Sequence, residues 1–480
     1  MANLNRAFRD SLDAAFQHSV DHLEGLDRRS VAATANLETL RNRLGKPLAD
    51  DGLEPQQVIT ELVDDVAGGI IGSAGGRYFA GVVGGSLPAA LAADWLAAAW
   101  DQNAVLYATG PAAAIVEETA GAWLKDIFGL PAGAGFALVT GCQMAHATCL
   151  AAARHAILVK RGWDVEQRGL YGASPIRILS GQDRHGSTAR AIRLLGLGLE
   201  QIVDLPTDAE GRLHVGCLEE ALASDPNAPT IVLTQAGEIN TGAFDQFEII
   251  VPIAHRYGAW LHVDGAIGLW AAASRRLAHL VRGVGQADSW ATDGHKWLNV
   301  PYDCGYAFVV DAEAQRASMA HRAPYLRHAA NARDQMDCTP EWSRRARAFP
   351  TYAALRQLGR KGLAGLVERC SRHAHSLVTR IGRLPGAEML WEPIINQGLV
   401  LFLDTKPGAT DPDHDRRTEE VIEGICATGE AVFGGTTWRG KRAMRVSVCN
   451  WQISDEDVER VVKAVAEVMG VSAISPKMSN

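Results

Sequence analysis

The run Asp-Ser-Trp-Ala-Thr-Asp-Gly-His-Lys-Trp-Leu-Asn at residues 288–299 places Lys296 just past a short apolar stretch and directly after His295. A lysine forms imines readily when it sheds its proton easily, which a partly desolvated pocket and a cationic neighbour both promote. His295 is the expected neighbour. Upstream, Ala-Trp-Leu-His-Val-Asp-Gly-Ala at 259–266 reads as a buried strand that ends on Asp264 and is followed by the small residues Gly265 and Ala266. In open α/β sheets ligands gather beyond the carboxyl ends of the strands, so neighbouring strands would bring Asp264 and Lys296 to one cleft. Such a pair suits pyridoxal 5'-phosphate: the lysine holds its aldehyde as an imine, and the carboxylate keeps its ring nitrogen protonated.

Two further segments extend this constellation. Phe-Ala-Leu-Val-Thr-Gly-Cys-Gln-Met-Ala-His-Ala-Thr-Cys-Leu-Ala-Ala-Ala-Arg at 136–154 reads as a strand, a sharp turn at Gly141 and an alanine-rich helix. The free amides of that helix start, Cys142 and Gln143 among them, form a phosphate seat. His185, in Ile-Leu-Ser-Gly-Gln-Asp-Arg-His-Gly-Ser at 178–187, follows another short strand. Its flat ring is suited to stack on the cofactor, with Ala266 leaving room on the opposite face.

The order of these parts resembles the group II pyridoxal-phosphate-dependent amino acid decarboxylases, the family of the aromatic-amino-acid and glutamate decarboxylases. Beyond the motifs above, the resemblance rests on Gly-Gly-Arg-Tyr-Phe-Ala-Gly at 75–81, His185 before Leu-Leu-Gly-Leu-Gly, and Ile-Asn-Thr-Gly-Ala-Phe-Asp at 239–245. It implies Lys296 as the imine lysine, Asp264 as the pyridinium partner, His185 as the stacking residue and His295 beside the phosphate. It also implies the fold of the type I pyridoxal phosphate enzymes and a homodimer with the active site at its interface. Three departures stand out. The loop Leu326 to Trp342 lacks the family's proton-donating tyrosine, leaving Tyr325, His185 or a partner residue for that task. Glu238 replaces a small hydroxyl or amide residue and would bind a substrate amine or hydroxyl, or pair with an arginine. Asp293 replaces a neutral side chain near the expected phosphate.

The implied reaction is decarboxylation of an L-amino acid to its amine. A slow reprotonation would instead let oxygen in and give an aldehyde by decarboxylating oxidation. Transamination is the other alternative, with Arg445, in Ala-Met-Arg-Val-Ser-Val, as a clamp on the substrate carboxylate. Tyr78 and Phe79 are further candidates for substrate contact. No Gly-x-Gly-x-x-Gly follows an early strand, which excludes a dinucleotide-binding enzyme.

The elements that must position these residues are legible as an alternation. Apolar runs at Phe136–Thr140, Arg177–Ser180, Ile202–Leu205, Thr230–Thr234, Ala259–Asp264, Ser289–Thr292 and Tyr306–Val310 alternate with helical patterns. This predicts an α/β fold with a mostly parallel seven-stranded sheet covered by helices. A chain of 480 residues exceeds what one core serves. The division expected is an N-terminal helical arm and dimerisation segment at 1–84, a large cofactor-binding domain at 85–365 and a small C-terminal α+β domain at 366–480. The arm carries Phe8, Leu12, Phe16, Val20 and Leu23 at helical spacing with too little apolar surface to fold alone.

The net charge of -8 comes from mixed signs, which argues against nucleic acid. Arg344, Arg345 and Arg347 form the densest basic cluster and read as a solvated or ion-paired helix face. Eight cysteines without a Cys-x-x-Cys fit a reducing compartment and give no zinc or other metal site. The first ten residues lack an apolar signal core, and Arg77, Pro88 and Asp94 interrupt the apolar stretch 66–100. A cytoplasmic protein with no membrane span is expected, with 66–100 buried near a subunit interface.

Overall fold

The computed structural model describes residues 2–472 apart from 325, 327 and 329–331. The seven apolar runs form one sheet: β1 (Gly135–Val139), β2 (Arg177–Gly181), β3 (Ile202–Leu205), β4 (Thr230–Gln235), β5 (Trp260–Asp264), β6 (Ser289–Asp293) and β7 (Gly305–Val309). Their spatial order is β1-β7-β6-β5-β4-β2-β3. Strands β3, β2, β4, β5 and β6 run parallel, and β7 runs against both β6 and β1. Every residue of β5, β6 and β7 is buried, the signature of strands covered on both faces.

One face is covered by the helix Cys142–Val159, whose buried alanines at 145, 147 and 151–153 let it lie close on the sheet. The other packs against the helices Pro111–Phe128 and Ala348–Ile381. Between them, Arg344 is buried and donates to Glu117 at 2.7 Å and to the Ala104 carbonyl at 3.1 Å, while Arg333 reaches the other Glu117 oxygen at 3.1 Å. Of the two readings of this arginine cluster, solvated or ion-paired, Arg344 takes the ion-paired one. Its charge is buried and paired, because a charge left alone there would be strongly destabilising.

Four antiparallel strands make the smaller sheet: β8 (Ala387–Trp391), β9 (Gln397–Phe402), β10 (Gly434–Trp438) and β11 (Lys441–Ser447), in the order β10-β11-β9-β8. Its helices start at capping boxes, Thr410 with Asp413 and Ser454 with Asp457. The expected boundary at 365/366 falls inside the helix Ala348–Ile381, which is broken earlier, where Gly359 takes φ 57°.

At the N-terminus the helices Ala2–Glu24, Leu37–Leu44 and Pro55–Asp65 leave Phe8, Leu12 and Phe16 exposed. Buried Arg77 ties this region to the small domain, donating to the Asp27 carbonyl at 3.0 Å and lying 3.8 Å from the Asp457 carboxylate. In the stretch 66–100 the helix Pro88–Trp100 leaves Trp95, Leu96 and Trp100 exposed. Among the described residues no helix is long and apolar enough to cross a membrane.

Candidate active site

The carboxyl ends of β4, β5 and β6 bring Gln235, Asp264 and Asp293 to one edge of the sheet, with Gln235 in register with Asp264. Above this edge lies a cavity of about 240 Å³ whose walls include Lys296, Asp264, His185, Ala266, Gln143 and Asp293. The residues expected to share a cleft from their sequence context do so, together with Gly141, Cys142 and His295.

Lys296 sits in the turn after β6, its Nζ 2.9 Å from Asp293 Oδ2. Burial works against the ammonium, but the Asp293 carboxylate outweighs it and holds the lysine above its ordinary pKa. The expected activation by a cationic His295 is not what the structure holds. His295 is lowered by burial and so is neutral at pH 7. Its Nδ1 accepts from the Cys304 amide at 3.3 Å, its Nε2 faces Asp293 Oδ1 at 3.4 Å, and its ring stacks on Tyr302 at 4.3 Å.

The support beneath the lysine is backbone. Gly84 donates its amide to the His295 carbonyl at 3.2 Å, and a side chain at Gly84 would collide with the Lys296 carbonyl. The glycine-rich 75–85 segment thus braces the lysine turn from below.

Asp264 ends β5 with its Oδ1 accepting the Ala266 amide at 3.1 Å. Burial opposes its charge, but the His146 imidazole, 3.4 Å from Oδ2, prevails and keeps the carboxyl well below the usual carboxylate range. His185 caps the helix Gly186–Leu194, its Nδ1 accepting the Ser187 amide at 3.2 Å. Burial lowers its pKa as well, so the ring is neutral with its proton on Nε2.

The helix Cys142–Val159 starts at the cavity. A side chain at Gly141 would meet His295 Cε1 at 3.2 Å. The Cys142 amide already donates to Asp293 Oδ1 at 2.6 Å, leaving the amides of the next helical positions, Gln143 first, for an anion. Burial and the carboxylates of Asp264 and Asp293 push the Cys142 thiol well up, so it stays protonated.

Some expected contacts do not reach this cavity. Phe79 is core, 1% exposed and stacked on Phe433 at 5.0 Å. Glu238 is equally buried and accepts from the Asn240 and Thr241 amides at 2.7 Å each, so it pins its own loop rather than meeting a substrate or pairing with an arginine. Tyr78 bridges to Val432, and Arg445 donates to the Ala80 carbonyl at 2.8 Å; neither lines the cavity. Tyr325 lies outside the described residues. Two residues that sequence reasoning passed over, His146 and His262, stand directly behind Asp264. Their signals were His262 two residues before Asp264 on the same strand face, and His146 one helical turn after Cys142.

The residues suit pyridoxal phosphate: an amine at a strand end, a charged carboxylate one strand away, a neutral imidazole lining the same cavity, and free helix amides alongside. The family described as "Pyridoxal-dependent decarboxylase conserved domain" matches residues 38–403. The chain is 26% identical over 467 residues to the aromatic-L-amino-acid decarboxylase of Bacillus atrophaeus, covering 94% of each. It is 28% identical over 439 residues to the human acidic amino acid decarboxylase GADL1, covering 88% of this chain and 83% of that one. Its fold matches the crystal structure of Oryza sativa TDC with PLP and tryptamine at TM-score 0.88 and 24% identity, covering 96% of this chain and 98% of that one.

Fold and site thus define a pyridoxal-phosphate enzyme. The chain belongs to the pyridoxal-dependent decarboxylases, and it is an amino acid decarboxylase of that family.

Proposed function

We propose that this enzyme converts an L-amino acid to its amine, with Lys296 carrying the cofactor, Asp264 facing its ring nitrogen, His185 over one face and Ala266 under the other. The phosphate goes to the helix start formed by Gly141, Cys142 and Gln143, on the free amides from Gln143 onward, beside His295. The observation that carries this reading is the single cavity shared by all of these residues. When bound, pyridoxal phosphate supplies an electron sink conjugated to the substrate's α-carbon, so that the bond to the carboxyl carbon breaks and carbon dioxide leaves.

The protein's part is electrostatic. Asp264, held ionised, keeps a proton on the heterocyclic nitrogen and so maintains the sink. Asp293 keeps a proton on Lys296 whenever its nitrogen is free, so the lysine holds a proton within the cavity. His185 presents a second proton on Nε2. With two proton carriers lining the cavity, reprotonation does not depend on the missing loop tyrosine, which favours amine over aldehyde.

The exposed stripe Phe8, Leu12 and Phe16 supports a homodimer, in which a second copy covers the arm and completes the site. The eight free cysteines suit the cytoplasm.

Borohydride reduction of the holoenzyme is expected to fix the cofactor to the Lys296 peptide. An amino-acid panel is expected to yield carbon dioxide and amine in equal amounts. Peroxide with ammonia in air would move the assignment to oxidative decarboxylation, and keto acid without carbon dioxide would move it to transamination.

A further inference from the structure

Behind Asp264 the polar groups continue inward, into a region that is otherwise apolar. Trp260, His262 and Asp264 alternate along β5 and so point to one face of the sheet. Ser289 opens β6 directly opposite His262. The helix Cys142–Val159 crosses this face and lowers His146 onto it. His146, His262 and Ser289 have no exposed surface, and Trp260 is 6% exposed.

The distances form an unbroken line. Trp260 Nε1 donates to Ser289 Oγ at 2.9 Å, and Ser289 Oγ lies 2.9 Å from His262 Nδ1. His262 Nε2 lies 2.9 Å from His146 Nδ1, and His146 Nε2 faces Asp264 Oδ2 at 3.4 Å. The indole can only donate and the carboxylate can only accept, and a line of donors running one way from indole to carboxylate satisfies both ends.

We propose that His146 is the positioning residue of Asp264, set by a directed hydrogen-bond chain that runs from Trp260 through Ser289 and His262. The serine hydroxyl donates to His262 Nδ1, His262 donates from Nε2 to His146 Nδ1, and His146 is left with its proton on Nε2, aimed at the carboxylate. Burial holds His262 neutral, with a pKa lowered to about 3, as the chain requires. Two other groups lie near His146 Nε2, Cys142 Sγ at 3.4 Å and Thr188 Oγ1 at 3.5 Å. Only Asp264 carries a full negative charge, so it takes the proton's direction. With Oδ1 held by the Ala266 amide and Oδ2 by His146, the carboxylate is fixed in plane and in charge.

The assignment of Asp264 to the cofactor's ring nitrogen rests on the function proposed above; the chain itself does not. The test separates the two. In histidine-¹⁵N-labelled protein, with and without cofactor, His146 and His262 are expected to be neutral and protonated at Nε2. A proton on Nδ1 of His146, in a neutral or a cationic ring, would overturn the chain.

In the second arm, ¹⁵N-labelled pyridoxal phosphate is bound to the wild type, His146→Leu and His146→Gln. The ring nitrogen is expected to be protonated in the wild type and to shift towards the unprotonated value in His146→Leu. kcat is expected to fall by about ten- to a hundredfold with KM within about threefold, the size that orienting hydrogen bonds carry elsewhere. His146→Gln, which keeps an N–H, is expected to recover most of the loss. An unchanged ring nitrogen and kcat in a folded His146→Leu would refute the positioning role. Asp264→Asn with full kcat would instead refute the reading of Asp264 while leaving the tautomers as they are.

Discussion

In the cleft, charged side chains are buried and each lies against a partner; along the N-terminal arm, large apolar side chains stand in solvent. Lys296 has Asp293, and Asp264 has His146. Phe8, Leu12 and Phe16 are 65%, 57% and 55% exposed. A lone buried charge is as unfavourable as an open apolar stripe, and the two regions differ in which problem the single chain has already solved. The charges of the cleft are paired within the single chain. The arm is satisfied only by another protein surface.

The most severe way to test the cleft is to remove its amine. Lys296→Ala is expected to lower kcat/KM on the order of 10⁴-fold or more and to leave a protein that borohydride no longer labels. Turnover near the wild-type rate would break the cleft side of the contrast at once. Next in size, Asp264→Ala is expected to retain cofactor but to lose about two to three orders of magnitude in kcat, since the ring nitrogen loses its counter-charge.

The arm is tested by truncation. Removing residues 1–45 is expected to convert a dimer to monomer in sedimentation and to cost most of the activity. A soluble, active monomer would show that the exposed stripe needs no cover. Smaller still is the effect of Asp293→Asn, which removes the carboxylate that raises the Lys296 pKa. The lysine pKa is expected to fall by about one unit or more, moving the rate of cofactor uptake by the apoenzyme to lower pH. An unmoved profile would assign the lysine's charge state to some other group.

Acid sharpens the comparison most gently. His262 has a folded pKa of about 3 against an ordinary 6.5, so the unfolded chain takes up the proton first. Its contribution to stability is complete above about pH 6.5 and is lost as pH falls towards 3. The melting temperature is therefore expected to decline through that window, and His262→Gln is expected to flatten the slope while lowering stability at neutral pH. A slope unchanged in that variant would remove His262 from the acid response.

The seven strands of the large sheet were legible because strands covered on both faces read as continuous apolar runs, and the half-exposed edge strand β3 still carries Ile202, Val203 and Leu205. β8 and β10 were not: one has no fully buried residue, and the other opens on two glycines followed by threonines. Both are edge strands, and neither carries the apolar run that marks a buried one. In the cleft, Lys296, Asp264 and His185 were legible from their places at strand ends. His146 and His262 were hidden because a histidine inside an apolar run looks like ordinary core. Phe79 and Glu238 misled in the opposite direction, since sequence neighbourhood does not say which face of a turn a side chain takes. The role of Asp293 depended on a distance to Lys296 that sequence spacing does not give.

The reversed direction of β7 has a consequence for anyone who would re-engineer this enzyme. Because it runs against β6, the chain leaves the sheet at Asp293 and re-enters it at Gly305 on the same edge. The lysine rides on a staple clamped at both feet, and Gly305 lies so close to the Cys142 amide that an added Cβ would stand 2.9 Å from it. A circular permutation that opened new termini between 294 and 304 would free one foot, and the reactive amine would lose its fixed bearing. New termini or grafted loops belong at the exposed Gly440 turn between β10 and β11, where a left-handed glycine with open space around it leaves the chain free to be cut.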